Sequence, residues 1–327
     1  MAPSDLPAGL IWYPDSRPGI ARRRAGRGFT YTGPDGTTIA RGPERDRIEA
    51  LAVPPAYDRV WISPRANGHL QATGLDTRAR KQYRYHAKWS EAQSEQKFSL
   101  LPDFGRALPR IRRRIARDLA EEPGAETFAL AAALLLIDRL SLRVGNEEYA
   151  RENGSYGALT LKRRHLRLTR TGLMLNYTAK GGKPVRRRLT DRKLLRVLNT
   201  IRDLPGAELL TWTDDTGTPR SLSSSALNNY LSEAGGGDFT AKTFRTWAGT
   251  LAAYEVAETG PASIKALCAA AADRLANTPA VARRAYIHPA VIALAGEAPP
   301  APTPAGLTGL AAAENRLLGF LDAAITR

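Results

Sequence analysis

Cysteine, histidine and lysine are all scarce in this chain of 327 residues. The one cysteine, Cys268, can form neither an internal disulfide nor a thiolate zinc site. The four histidines, His69, His86, His165 and His288, show no metal-ligand spacing. The sequence has no Gly-x-x-x-x-Gly-Lys-Ser/Thr loop and no Gly-x-Gly-x-x-Gly fingerprint. No cofactor is therefore expected, neither ATP, NAD nor a metal. The longest apolar run, Phe128 to Ile137, falls far short of the ~20 residues that span a bilayer. The N-terminus lacks the charged region and apolar core of a signal peptide. These absences lead to the expectation of a soluble protein of a reducing, cytoplasmic compartment, with no membrane partner.

Acidic residues are also outnumbered. Lys plus Arg number 48 against 32 Asp plus Glu, a net charge of +16. Such an excess favours a polyanion partner, above all nucleic acid. Only nine of the cations are lysine, so each lysine is informative. The arginine and alanine bias also suggests a bacterial genome. Hydrophobic residues make up 43% of the chain, enough for real cores, and the length suits one large domain or two ordinary ones. No internal repeat is visible.

Residues 1–28 are rich in Pro and Arg, with Arg22, Arg23 and Arg24 at their centre. They read as a mobile basic arm or as a merely solvated run. Short extended segments follow at Phe29–Thr32, Thr37–Ala40, Val60–Ile62 and His69–Thr73, with turns at Pro34–Gly36 and Gly74. On a strand over Arg80–His86, Gln82, Arg84 and His86 share one face, Tyr83 and Tyr85 the other. Aromatics interleaved with cations suit a nucleic-acid surface, with guanidiniums for phosphates and Gln for a base edge. A half-buried strand with its tyrosines inward fits the same pattern. Residues 1–90 are expected to form a small β-rich domain.

Residues 91–327 are expected to be mainly helical. Leu108, Ile111, Ile115 and Leu119 follow helical spacing, and 126–139 reads as a buried, nearly all-apolar helix. That helix delivers Arg143, followed by Gly145 and Tyr149. A short β-meander is predicted from Leu159 and Leu161, Leu166 and Leu168, and Leu173, Leu175 and Tyr177, with a hairpin tip at Lys180-Gly-Gly-Lys183. Further helices are predicted at Leu194–Leu204, Ser223–Glu233, after Thr240, from Pro261, and over 307–327, with a flexible joint at Gly235–Gly237 and a Pro-rich linker at 298–304. Lys242 and Arg245 lie three apart and share a helix face. Thr278 caps a short helix opened by Pro279, which ends near Pro289 and places Tyr286 at its far end beside Arg283 and Arg284. Taken by itself, that tyrosine reads first as a packing residue.

Collected, Arg143, Lys180, Lys242, Arg245, Asn277 and Tyr286 supply what transesterification of a phosphodiester needs. Guanidiniums can clamp the non-bridging oxygens, a lysine can protonate the leaving oxygen, and a tyrosine is a nucleophile. The stretches Arg143-Val-Gly-Asn-Glu-Glu-Tyr149, Leu159-Thr-Leu-Lys-Arg-Arg-His165, Tyr177-Thr-Ala-Lys180-Gly, Lys242-Thr-Phe-Arg245-Thr-Trp and Asn277-Thr-Pro through Tyr286 resemble the type IB DNA topoisomerases, specifically the small bacterial and poxviral branch. The resemblance covers about residues 60–290.

This resemblance implies an α+β fold, a β-rich DNA-binding domain plus a mainly helical catalytic domain with a short meander, closing as a C-clamp around duplex DNA. It implies a monomer, nucleoid-associated, that relaxes supercoiled DNA without ATP or metal. By it, Tyr286 forms a 3′-phosphotyrosyl bond, Arg143 and Arg245 stabilise the transition state, and Lys180, helped by Lys242, protonates the 5′-hydroxyl. Arg80, Gln82, Tyr83, Tyr85 and Tyr149 then contact DNA. Many family members have His where this chain has Asn277, which can donate a hydrogen bond but cannot titrate. Two rivals remain: a tyrosine recombinase, which shares fold and nucleophile but usually reads His-x-x-Arg at Lys242–Arg245, and a non-catalytic basic DNA-binding protein.

Overall fold

The computed structural model describes residues 6–169, 172–202, 204, 206–301 and 303–325. They fold into a mixture of helix and sheet, and the chain divides into two compact units, Met1–Lys97 and Phe98–Arg327.

The first unit is built on a five-stranded antiparallel sheet. Its strands are β1 (Ile20–Ala25), β2 (Gly28–Thr32), β3 (Asp58–Ile62), β4 (Leu70–Leu75) and β5 (Lys81–Tyr85), in the order β2-β1-β3-β4-β5. Ile20, Tyr31, Val60, Ile62 and Ala72 point to one face and pack with Ile48 of helix α1 (Pro43–Ala50). That alternation is the period-2 signal of a half-buried sheet. The expected basic arm is corrected here. Arg22–Arg24 sit in β1, and the Arg22 guanidinium donates to the carbonyls of Val53, Pro54 and Tyr57 at 2.8–2.9 Å. A cation with three carbonyl partners in a folded loop is a structural clip. The Gly74 turn is likewise corrected: Gly74 pairs with Gln82 inside the ladder, and the chain reverses at Asp76, whose carboxylate accepts the N–H groups of Arg78 and Arg80. Thr37–Ala40 forms no full strand: Thr38 bridges to Thr32, and the Ile39 N–H donates to the Tyr31 carbonyl at 2.9 Å.

Helix α2 (Ala87–Ser99) runs across the division. The second unit begins with α3 (Leu101–Asp118) and α4 (Glu126–Leu140). Every residue of Phe128–Ile137 is buried, as expected for a helix apolar on all sides. After α5 (Glu147–Asn153), the predicted first rung of the meander is instead two 3₁₀ turns, Ala158–Thr160 and Arg163–His165. They curl because the N–H groups of Ala158 and Leu159 bond back to the carbonyls of Arg143 and Val144, leaving no free edge for a strand. The three-stranded sheet is β6 (Leu166–Thr169), β7 (Gly172–Ala179) and β8 (Lys183–Leu189).

Then come α6 (Arg192–Arg202), a small hairpin of β9 (Thr211–Thr213) and β10 (Pro219–Ser221), and α7 (Ser224–Gly235). The chain continues through α8 (Ala241–Ala257), α9 (Ile264–Leu275), α10 (Pro279–Tyr286), α11 (Pro289–Ile292) and α12 (Ala312–Ile325). One apolar core joins α3, α4 and α6–α9 with β7, β8 and the Leu317–Leu321 face of α12. Alongside it, the Arg112 guanidinium of α3 is held between Asp138 and Glu314, each by two hydrogen bonds of 2.8–3.0 Å. Although burial opposes the charge, the two carboxylates raise the Arg112 pKa above its usual range. Among the described residues no helix is long and apolar enough to cross a membrane.

Candidate active site

In the second unit the site grows out of the end of α4. Ser141 takes a left-handed conformation (φ 53°) and stops the helix, and buried Leu142 then anchors the turn that presents Arg143. Gly145 sits at φ 101°, where a Cβ would lie 2.7 Å from the Thr160 hydroxyl and 3.2 Å from Gly157. Only glycine allows this close approach. Asn146 caps α5 by accepting the Tyr149 N–H at 3.0 Å. Arg143, Tyr149 and Lys180 line one small pocket with Gly145, Asn146, Ser155 and Tyr156. The Lys180 ammonium lies 5.2 Å from the centroid of the Tyr149 ring.

Arg245 projects from α8 and is 3% exposed. Its Nη1 donates to the carbonyl of Ser141 and its Nη2 to that of Leu275 at 3.0 Å. Its guanidinium carbon lies 5.1 Å from the Tyr286 ring centroid. Burial, and next the nearby Arg143, pull its pKa below the usual range, with Tyr286 opposing. Asn277 is also buried, with its side-chain oxygen accepting from Arg143 Nη2 and its backbone carbonyl accepting from Lys183 Nζ at 2.7 Å. Since a guanidinium can only donate, the Asn277 amide orientation is forced, and Nδ2 faces away from Arg143. Asn277 Nδ2 and Arg245 Nε are buried with no hydrogen-bond partner among the described residues.

Tyr286 closes α10, whose start follows the predicted signals: Thr278 accepts the Val281 N–H at 3.4 Å and Pro279 opens the helix. The Tyr286 carbonyl accepts from the Thr250 hydroxyl at 3.2 Å. Gly249 makes room for it, because a Cβ there would meet the Tyr286 carbonyl at 2.8 Å.

The structure thus brings Arg143, Arg245, Asn277 and Tyr286 into one contact network, with Lys180 sharing a pocket with Arg143. Lys242 stays outside it, exposed in the first turn of α8 with no side-chain hydrogen bond among the described residues. Residues that sequence spacing could not single out are Gly249, Thr250, Lys183 and Arg187. Each acts on a partner dozens of positions away, which no local pattern encodes.

The contrast with Arg112 defines the chemistry. That half-buried guanidinium is neutralised by two carboxylates. Among the described residues no carboxylate pairs with Arg143 or Arg245, although the two cations disfavour each other. Buried charges are normally paired. Two adjacent unpaired guanidiniums, with an amide and a guanidine N–H left over, form a site for an anion with several acceptor oxygens.

In the first unit, Tyr83 and Tyr85 are 53% and 43% exposed, with rings stacked at 6.1 Å. They point away from the α1 face, and the alternative of inward tyrosines does not hold. Arg80 and Gln82 are both engaged by the Asp76 carboxylate, at 2.6 and 3.1 Å. Arg80 holds the Asp76 pKa down at about 2.

Comparison with known proteins defines the class: this chain belongs to the type IB DNA topoisomerase family, whose members are isomerases. The family model described as "Eukaryotic DNA topoisomerase I, catalytic core" matches residues 86–282, and "Bacterial DNA topoisomerase IB, N-terminal domain" matches residues 28–76. The chain is similar to DNA topoisomerase 1B of Acanthamoeba polyphaga mimivirus, 30% identical over 237 residues, which is 71% of this chain and 70% of the relative. It is also similar to DNA topoisomerase 1B of Vaccinia virus (strain Copenhagen), 23% identical over 124 residues, 38% of this chain and 39% of that one. Neither family match reaches Tyr286 or strand β5.

Proposed function

We propose that the chain relaxes supercoiled duplex DNA by transient cleavage of one strand. In this reading the Tyr286 hydroxyl gives up its proton to solvent and attacks a backbone phosphorus, an O–P bond forms to give a 3′-phosphotyrosyl ester, and the P–O5′ bond breaks. Arg143, Arg245 and the Asn277 Nδ2 donor hold the non-bridging oxygens, where charge builds in the transition state. Lys180 gives a proton to the departing 5′-oxygen, with Lys242 assisting when DNA is bound. Strand rotation follows, and the reverse attack by the 5′-hydroxyl reseals the backbone. The phosphotyrosyl ester conserves the bond energy, so no ATP is required, and the cations do the charge stabilisation a metal would supply.

Tyr149, and in the first unit Tyr83 and Tyr85 with Arg80 and Gln82, contact the duplex. Residues 1–90 serve as the DNA-binding domain and 91–327 as the catalytic domain, closing together as a C-clamp. The enzyme works as a monomer on the nucleoid.

The observation that carries this reading is the carboxylate-free pair of guanidiniums, buried Arg245 and half-buried Arg143, in one contact network with Tyr286. The test is Tyr286→Phe. Relaxation of supercoiled plasmid and the covalent adduct should both vanish while duplex affinity stays within a few fold. Single-turnover cleavage by the Phe variant would overturn the assignment.

A further inference from the structure

The β7–β8 hairpin carries Lys180 at its tip, where the ammonium stands over the Tyr149 ring. Gly181 and Gly182 adopt φ of 83° and 76°, with open space where their Cβ atoms would lie. The Lys180 ammonium makes no hydrogen bond among the described residues, so its placement depends on what holds the hairpin. Val185 and Leu189 are buried on the inner face of β8. By the two-residue period, Lys183 and Arg187 belong to that same face. Arg187, half-buried on that face, needs acceptors for its charge, and it and the exposed Lys183 both find them at one place, the C-terminal end of α9.

Arg187 Nη2 donates to the carbonyls of Asp273 and Arg274 at 3.1 and 2.8 Å, and Lys183 Nζ donates to that of Asn277 at 2.7 Å. Ala276, at φ 50°, has already ended the helix. The last carbonyls of a helix lack partners within it and carry its negative end. The same end receives Arg245 at Leu275, and Asn277 holds Arg143.

We propose that Lys183 and Arg187 are positioning residues, a latch that fastens the hairpin to the end of α9 and so sets Lys180 beside the phosphate site. This rests on the reading of Lys180 as the proton donor. Lys183 is three residues from Lys180, and its ammonium bonds the backbone of the residue whose side chain orients Arg143. The latch therefore ties the proton donor to the phosphate clamp in one register.

The test uses the full chain with Lys183→Met, Arg187→Met, Lys183→Arg and Lys180→Ala. On an ordinary suicide duplex, both Met variants should lose about 10- to 100-fold in single-turnover cleavage, the scale of a misplacement near 1 Å. Lys183→Arg should restore most of it, and duplex affinity should stay within a few fold. On a duplex whose leaving group is a 5′-thiolate, which departs without a proton, Lys183→Met and Arg187→Met should cleave near the parent rate, as should Lys180→Ala. Trypsin should cut after Lys180 faster in the Met variants than in the parent. Failure of the thiolate to rescue Lys180→Ala would refute the acid assignment itself. If Lys180→Ala is rescued but Lys183→Met is fully active on the ordinary duplex, or is slow on both, the latch is wrong. Lys183 is exposed, so its variant keeps the test decisive even if Arg187→Met misfolds.

Discussion

Asn277 divides its two amide atoms between the protein and the open site. Its oxygen is occupied by Arg143, and its Nδ2 is a buried donor without a partner. Leaving a donor unmade costs about 1–3 kcal/mol, a debt that a phosphate oxygen can cancel. Asn277→Ala should slow cleavage and religation by similar factors, since both pass through one transition state. A single such donor is worth about 10²–10³ in rate. Asn277→His should retain most activity, and Asn277→Asp should be worse than Ala, because it sets an anion against the phosphate. Single-turnover cleavage and religation assays on a suicide duplex decide this, and an Ala variant that loses only one step would refute it.

The histidines make a different residue-scale prediction. All four accept a backbone N–H at Nδ1, His165 from Lys162 at 2.9 Å and His288 from Ala290 at 3.1 Å. Burial, then Arg164 and Lys162, hold His165 near 4. The unfolded chain binds this proton near ~6.5, so it takes up more protons than the folded state as pH falls from there to about 4. Stability is therefore full above ~6.5 and lost on acidification through that window, on the order of 3 kcal/mol at most for His165. His165→Asn keeps the acceptor without the titration, so its melting temperature should fall less between about pH 7 and pH 4 than the parent's.

Among the elements, the contact of α8 with α10 matters most for the site. Gly→Ala inside a helix ordinarily stabilises by about 0.5–1 kcal/mol. At Gly249 the new methyl would sit 2.8 Å from both the Tyr286 carbonyl and the Leu275 side chain. Gly249→Ala is therefore expected to push α10 outward and cut cleavage by about 10²-fold, with duplex affinity nearly unchanged. Parallel cleavage and filter-binding measurements check this, and a Gly249→Ala enzyme with the parent's cleavage rate would refute the need for this close contact with Tyr286. On the far side of α8, Trp247 donates to Glu314 at 3.3 Å, and Glu314 in turn grips Arg112. The C-terminal helix thus braces the helix that carries Arg245. The Leu307–Arg327 periodicity signals such a helix, but only its packing reveals that brace.

For the whole molecule the governing quantity is the charge of +16. Much of the arginine is committed internally, as at Arg22, Arg47, Arg112 and Arg316. The number of phosphates neutralised is thus smaller than the arginine count suggests. With six to ten such contacts, affinity for a short duplex should drop by about 10³–10⁵ between roughly 50 and 200 mM salt. A titration by fluorescence anisotropy that shows no salt dependence would contradict a duplex held through its phosphates.

What the sequence determined by itself was local. Thr278 and Pro279 start α10, the apolar run makes α4, the paired glycines make the hairpin tip, and the ordered Arg143, Lys180, Arg245 and Tyr286 carry the resemblance. Each signal acts within a few residues, through capping, periodicity or a φ preference. Tertiary structure decided where the charges end. It turned Arg22 into a clip for three carbonyls, joined Arg143 to Asn277 across 134 positions, and gave Lys183 and Arg187 the end of α9. It also left the Asn277 Nδ2 and Arg245 Nε donors of the site open. The reason is physical: a cation goes to whichever carbonyls and carboxylates packing leaves unsatisfied, and those exist only once helices have ended against one another.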